Sequence, residues 1–89
     1  IMNEIFENAY ISTATTTQVK TGTGVLKAIV VGETAAGSIK IIDGTSGTTT
    51  NLAELKASVA EGTYTFDTAF KAGLRIVTAG ASKITVIYR

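Results

Sequence analysis

Cysteine, histidine, tryptophan and proline are all missing from this 89-residue chain, and charged residues make up only 17% of it. Each absence removes a class of function. Without cysteine or histidine there is no thiolate or imidazole to hold zinc or haem, and no disulfide framework. A Ser–His–Asp or Cys–His catalytic unit cannot be assembled from this chain alone. The residues therefore imply no metal, no cofactor and no enzyme. Eight basic residues against seven acidic ones give a net charge of +1, so the basic surplus of a nucleic-acid binder is lacking. The longest dense apolar run, Val25 to Val31, is interrupted by Lys27 and falls far short of the roughly 20 residues of a membrane-spanning helix. No basic segment followed by an apolar one opens the chain, so no signal peptide is expected; Ile1 precedes Met2.

What is abundant points to β-structure. Sixteen residues are threonine and nine are glycine, with isoleucine and valine plentiful. β-branched side chains lose χ1 freedom in a helix and pack well on a pleated surface. The glycines are spread along the chain between short apolar runs, as in an antiparallel β domain. The expected fold is all-β, an antiparallel β-sandwich or jelly-roll-like domain of about seven strands. Residues 1–8 read as an N-terminal arm or short helical turn, and residues 9–89 as a single β domain.

Strands are expected at Ala9 to Thr13, Thr17 to Thr21 and Val25 to Val31, the last with apolar cover on both faces. Ser38 to Asp43 alternates, with Ile39 and Ile41 on one side. Residues 44–51 form a polar tip. Leu52 to Ala57 fits neither a helix nor a clean strand and reads as a short irregular or strand-like piece. Thr63 to Thr68 alternates, with Tyr64 and Phe66 inward and Asp67 outward. Leu74 to Thr78 and Lys83 to Arg89 read as a terminal hairpin across residues 79–82.

Several local patterns invite a function and are better explained without one. Gly22-Thr23-Gly24 precedes an apolar strand rather than a helix and lacks a following Lys-Ser/Thr, so it reads as a turn and not a phosphate loop. Asp43-Gly44-Thr45-Ser46-Gly47 begins like a calcium loop but lacks the later acidic ligands, which leaves a hairpin turn. Asp43 and Asp67 read as ordinary solvated positions. Scattered threonine pairs suit a sheet meeting water better than a repetitive ice-binding plane. Tyr10, Tyr64 and Tyr88 would suit a sugar-stacking platform, yet Tyr64 and Tyr88 fall on apolar phases and read as core or interface tyrosines.

The quantitative signal is an excess of aliphatic side chains. Mean hydropathy is +0.31, and several strands carry apolar residues on both phases: Ile42 beside Ile41, Val77 beside Ile76, Ile87 beside Val86. One sandwich buries one face of each sheet, so the second set calls for a partner surface. At ~25 cal/mol per Å2, covering ~600 Å2 between subunits would contribute roughly 15 kcal/mol before association costs. A homo-oligomer is expected, with Ile42, Val77 and Ile87, together with Ile5 and Phe6 of the N-terminal stretch, as candidate interface residues.

The phrases Gly22-Thr23-Gly24-Val25-Leu26-Lys27-Ala28-Ile29-Val30-Val31, Ile39-Lys40-Ile41-Ile42-Asp43-Gly44, residues 62–80 and Ile84-Thr85-Val86-Ile87-Tyr88-Arg89 resemble small structural proteins of tailed-bacteriophage virions. The resemblance implies a capsid decoration (cement) subunit, made in the host cytoplasm and placed on the virion surface, that binds the major capsid protein or other virion proteins. Such a role implies no nucleic-acid or membrane partner. A head–tail neck, tail or fibre-base component is the nearest alternative, and a carbohydrate-binding β-sandwich module a further one. The resemblance assigns no functional residues and leaves residues 1–8 unsupported.

Overall fold

The computed structural model describes residues 5–45 and 50–89. Among them are eight strands and no helix: β1 (Glu7–Ile11), β2 (Thr16–Thr21), β3 (Gly24–Glu33), β4 (Ile39–Asp43), β5 (Thr50–Leu55), β6 (Gly62–Phe70), β7 (Gly73–Thr78) and β8 (Lys83–Tyr88). They form two four-stranded antiparallel sheets, ordered β1-β8-β3-β6 and β2-β7-β4-β5. The fold is a β-sandwich with jelly-roll strand order, as the composition led one to expect, with one strand more than the sequence marked out.

Directly paired residues share a sheet face, so the register sorts inside from outside. In the first sheet Ala9, Val86, Ile29 and Tyr64 lie in one row across all four strands, and Ile11, Ile84 and Val31 in another. In the second sheet Thr17, Ile76, Ile41 and Ala53 make the corresponding row. These rows meet in one core with Leu26, Ile39, Phe70 and Leu74, of which Phe70, Leu26, Ile29, Ile41 and Ile76 are fully buried. Each such side chain gains about 1.5–3 kcal/mol from leaving water. Tyr64 and Phe66 pack inward as alternation predicts. The β1–β2 connection is pinned to the second sheet by buried Thr78, whose hydroxyl donates to the Thr13 carbonyl (2.6 Å) and accepts from the Thr15 amide (3.1 Å).

Several local expectations need correction. Residues 1–4 of the expected arm lie outside the described residues, while Glu7 and Asn8 already belong to β1, where they pair with Tyr88 and Ile87. Strand β8 would otherwise leave one edge of its backbone unpaired, and this ladder satisfies it. The irregular piece at 52–57 is part of β5. A bulge sets Ile41 opposite Ala53 but Ile42 opposite Asn51, so Leu52, Ala53 and Leu55 all pack on the core and simple alternation is lost. Of the polar tip at 44–51, residues 46–49 lie outside the described residues and Thr50 and Asn51 begin β5.

The expected terminal hairpin does not form. Strand β7 pairs with β2 and β4, and β8 with β1 and β3. The connection at 79–82 instead passes from one sheet to the other, which places Leu74 and Ile76 across the core from Ile84 and Val86, all four fully buried. In a hairpin these two sets would sit side by side on one sheet. Among the described strands only β4 and β5 are consecutive neighbours within a sheet.

Candidate interaction surface

The sandwich is a slab of 41 × 31 × 17 Å, so it offers two broad outer faces, and the register gives the composition of each. On the outer face of β1-β8-β3-β6 one row runs Asn8, Ile87, Ala28, Thr65 and the next Tyr10, Thr85, Val30, Thr63. None of these eight side chains is charged. Ile87 and Val30 are half-buried in the single chain, Ala28 is enclosed by its larger neighbours, and Tyr10 is 64% exposed. Three of the four residues on the two central strands are aliphatic, with Thr85 the exception, and the edge strands carry threonine, asparagine and tyrosine. That is the apolar-centre, polar-rim anatomy of protein interfaces.

Charges on this sheet are displaced to its ends and paired. Lys27 sits in the bulge between β3 and β6 and meets Asp67 at 2.9 Å, and Lys83 meets Glu33 at 2.9 Å. The Glu33 contact holds the Lys83 ammonium above its usual range. Asp67 departs from the expected alternation: it takes a left-handed backbone (φ 49°) at the bulge, so Thr65 lies opposite Ala28 but Thr68 opposite Leu26. At the β1 edge, the Arg89 guanidinium lies 5.7 Å from the centre of the Phe6 ring, within cation–π range.

The outer face of β2-β7-β4-β5 has a different character. Its rows are Gln18, Arg75, Ile42, Asn51 and Thr16, Val77, Lys40, Glu54. Three of the eight are charged, and two of the eight side chains make hydrogen bonds within the chain. Arg75 donates from Nη1 to the Thr45 carbonyl (3.1 Å), and Gln18 donates from Nε2 to the carbonyls of Lys20 (2.9 Å) and Gly44 (3.0 Å).

The five candidate interface residues therefore separate. Ile42 is only 6% exposed in the single chain and lies beside Arg75 and Asn51 on the charged face. Val77 is half-buried among polar neighbours on the charged face. Ile87 is half-buried at the centre of the uncharged face. Phe6 is half-buried beside Arg89, and Ile5, just before β1, is 74% exposed. The sequence missed Ala28, Val30 and Tyr10 as companions of Ile87, since only the strand order brings β1, β8 and β3 side by side. Tyr64 and Tyr88 pack against the core while Tyr10 faces out, so the three tyrosines make no common sugar-stacking platform.

Asp43 is not an ordinary solvated residue. At the end of β4 its carboxylate accepts from the backbone amides of Lys71 (2.9 and 3.0 Å) and Ala72 (2.9 Å), with Gly73 at 3.4 Å, and so closes the β6–β7 turn. The Ala72 and Lys71 amides favour the ionised form and hold its pKa below the ordinary 3.8. A depressed carboxylate stabilises the fold above the unfolded-state pKa, and that contribution disappears as pH falls through the lower folded value. Asp43→Ala should accordingly lower the melting temperature at pH 7, with the gap to the wild type narrowing as pH falls below the ordinary 3.8 and through the lower folded value; thermal melts across pH 2–7 check this, and equal melting temperatures at pH 7 would refute it. Burial holds the Tyr88 phenol above its usual range, with the Glu7 carboxylate adding to the effect. Among the described residues no three potential ligands converge on a metal-sized site, and no cavity opens on the surface.

No family model and no curated protein sequence matches the chain. Its fold is similar to that of the Drosophila NLP core, a structure described as giving insight into pentamer formation and histone binding. The two superpose with a TM-score of 0.62 over 97% of this chain and 98% of that one, at 16% sequence identity. This finding overturns the kinship with tailed-phage virion proteins drawn from phrase order, and with it the capsid-decoration and neck, tail or fibre-base roles. Neither the expected capsid partners nor the exclusion of nucleic acid finds support in the likeness. Phrases such as Gly-Thr-Gly before an aliphatic strand follow from the needs of short strands and tight turns and do not by themselves establish kinship. What this chain and the NLP core have in common is a fold.

Proposed function

We propose that this chain is a self-associating β-sandwich subunit, a building block whose copies assemble into a homo-oligomer and whose work is protein–protein contact rather than catalysis. The observation that carries the reading is the end-to-end likeness to a core described for pentamer formation, which covers 97% of this chain and 98% of the other. The whole chain, not an appended segment, corresponds to the assembling unit.

The surface limits how such assembly can work. The accessible surface is 4856 Å2, close to the ~4,900 Å2 expected of a self-contained monomer of this mass. The chain therefore has no gross excess of surface to hide, and assembly has to act through a particular patch; the uncharged rows around Ile87 supply one. A non-catalytic role fits the side-chain chemistry: Asp43, Asp67 and Glu33 are each tied to structural partners, and Glu61 accepts from the Thr34 amide at 3.2 Å.

Histone binding is a property of the neighbour that this chain's charges do not support. A surface for basic tails needs an acidic surplus, whereas this chain carries +1. The test is the mass in solution. Light scattering behind size exclusion at tens of micromolar should give a multiple of 9.2 kDa, and a mass equal to one chain would overturn the reading.

A further inference from the structure

We infer that copies of this chain associate through the outer face of β1-β8-β3-β6, with Ile87, Val30 and Tyr10 covered by a second copy while the outer face of β2-β7-β4-β5 stays in water. The inference rests on the self-association proposed above and specifies its surface.

Desolvation separates the two faces. Covering the β2-β7-β4-β5 face would strip water from Arg75 and from Lys40 and Glu54, which stand opposite each other on β4 and β5, and taking a charge out of water carries a penalty of several kcal/mol per ion. The other face has no charge in either central row. Its nearest charges, Lys27 with Asp67 and Lys83 with Glu33, already neutralise each other within the chain. The same neutrality selects the occupant. An uncharged, threonine-rimmed aliphatic surface gives a strongly charged partner nothing to recognise and repels no copy of itself. The two large apolar side chains left most exposed among the described residues, Ile5 and Tyr10, lie just before β1 and on β1 itself, at one edge of this same sheet.

Three single variants test it, each followed by sedimentation velocity with circular dichroism to confirm folding. Ile87→Lys places a charge at the centre of the face, Tyr10→Lys places one at an exposed position that the fold tolerates, and Val77→Lys does the same on the opposite face. Ile87→Lys and Tyr10→Lys should each weaken assembly, Ile87→Lys by about 100-fold or more, because an unpaired charge is buried. Val77→Lys should sediment like the wild type. Where Ile87→Lys does not fold, Tyr10→Lys decides. An assembled wild type whose folded Ile87→Lys and Tyr10→Lys variants remain assembled overturns this surface and leaves self-association standing, as does dissociation by Val77→Lys alone. A monomeric wild type removes the underlying reading, and this one with it.

Discussion

Phe70→Ala is expected to cost about 3–5 kcal/mol of stability, the usual range for deleting a fully buried aromatic ring. Against the 5–15 kcal/mol that holds a domain together, such a loss leaves this small sandwich marginal or unfolded. Phe70 ends β6 with no exposed surface and is the largest fully buried side chain. Its ring lies against the backbone of Gly24 at the start of β3, so close that a Cβ on Gly24 would come within 2.6–2.9 Å of it. Neighbouring atoms have little freedom to fill the space the ring would leave. The amide and carbonyl of Val25 are tied to Arg89 (2.8 and 2.9 Å), and the Thr23 hydroxyl donates to the carbonyl of Phe70 itself (3.1 Å). With the wall held by backbone hydrogen bonds, the cavity persists and its cost adds to the lost transfer energy. Phe70→Leu, which keeps most of the volume, should cost markedly less. Urea denaturation at one fixed protein concentration measures both, the fixed concentration mattering because assembly shifts apparent stability. Lys56→Ala, at an exposed position just after β5 and away from the proposed association face, serves as the control and should stay within about 0.5 kcal/mol. A loss below 1 kcal/mol for Phe70→Ala would show that the core closes over the gap.

Much of the architecture is legible in the residue pattern because strand periodicity is a local property. Ile39 and Ile41, two apart, both turn inward, and so do Tyr64 and Phe66. The glycine at 22 takes φ 96° in the β2–β3 turn, a conformation open to glycine at little cost. The failures share a physical origin, since they concern which strands become neighbours. Leu74 to Thr78 and Lys83 to Tyr88 carry the same apolar alternation whether they pair with each other or face each other across a core. Only the competition with β2, β4, β1 and β3 for backbone hydrogen bonds decides between these, and those partners are distant in sequence. Bulges act similarly. Leu52 and Asp67 sit where one strand holds an extra residue, and the phase of the pattern slips there without a local sign.

The candidate surface depends on the same long-range information. An aliphatic residue on the second phase of a strand is a common observation, and Ile42, Val77 and Ile87 look equivalent in sequence. Strand order makes them different. Ile42 falls beside Arg75 and is covered, Val77 falls between Thr16 and Lys40, and Ile87 falls between Asn8 and Ala28 with Val30 nearby on β3. The reading that an aliphatic excess implies a partner thus narrows to one of the three positions once the neighbours are known.

Gly37→Ala is expected to destabilise the fold by about 1–3 kcal/mol even though alanine normally gains at a compatible site. Replacing glycine where φ is negative restricts the unfolded chain and usually adds about 0.4–1 kcal/mol of stability. Gly37 is buried in the β3–β4 connection, and nothing in its backbone reserves it for glycine. The obstacle is steric. A Cβ there would overlap the Gly80 nitrogen and stand 2.6 Å from the Ala79 carbonyl carbon and 2.8 Å from the Gly80 Cα, all backbone atoms that cannot swing aside. The two connections are also bound together, since the Ala79 amide donates to the Ser38 carbonyl at 2.9 Å. Relieving the overlap would draw them apart and strain the adjoining pair Ile39 and Thr78 at the end of β4 and β7. The reciprocal change is milder, because a Cβ on Gly80 would meet Gly37 atoms at 3.1 and 3.3 Å and Ala35 at 3.4 Å. Thermal melts should therefore rank the wild type above Gly80→Ala and Gly80→Ala above Gly37→Ala, and a Gly37→Ala protein as stable as the wild type would show that the connections separate freely. The Gly37 contact lies in the two connections that bridge the sheets and involves none of Ile87, Val30 and Tyr10, so whatever fraction of Gly37→Ala remains folded should still assemble.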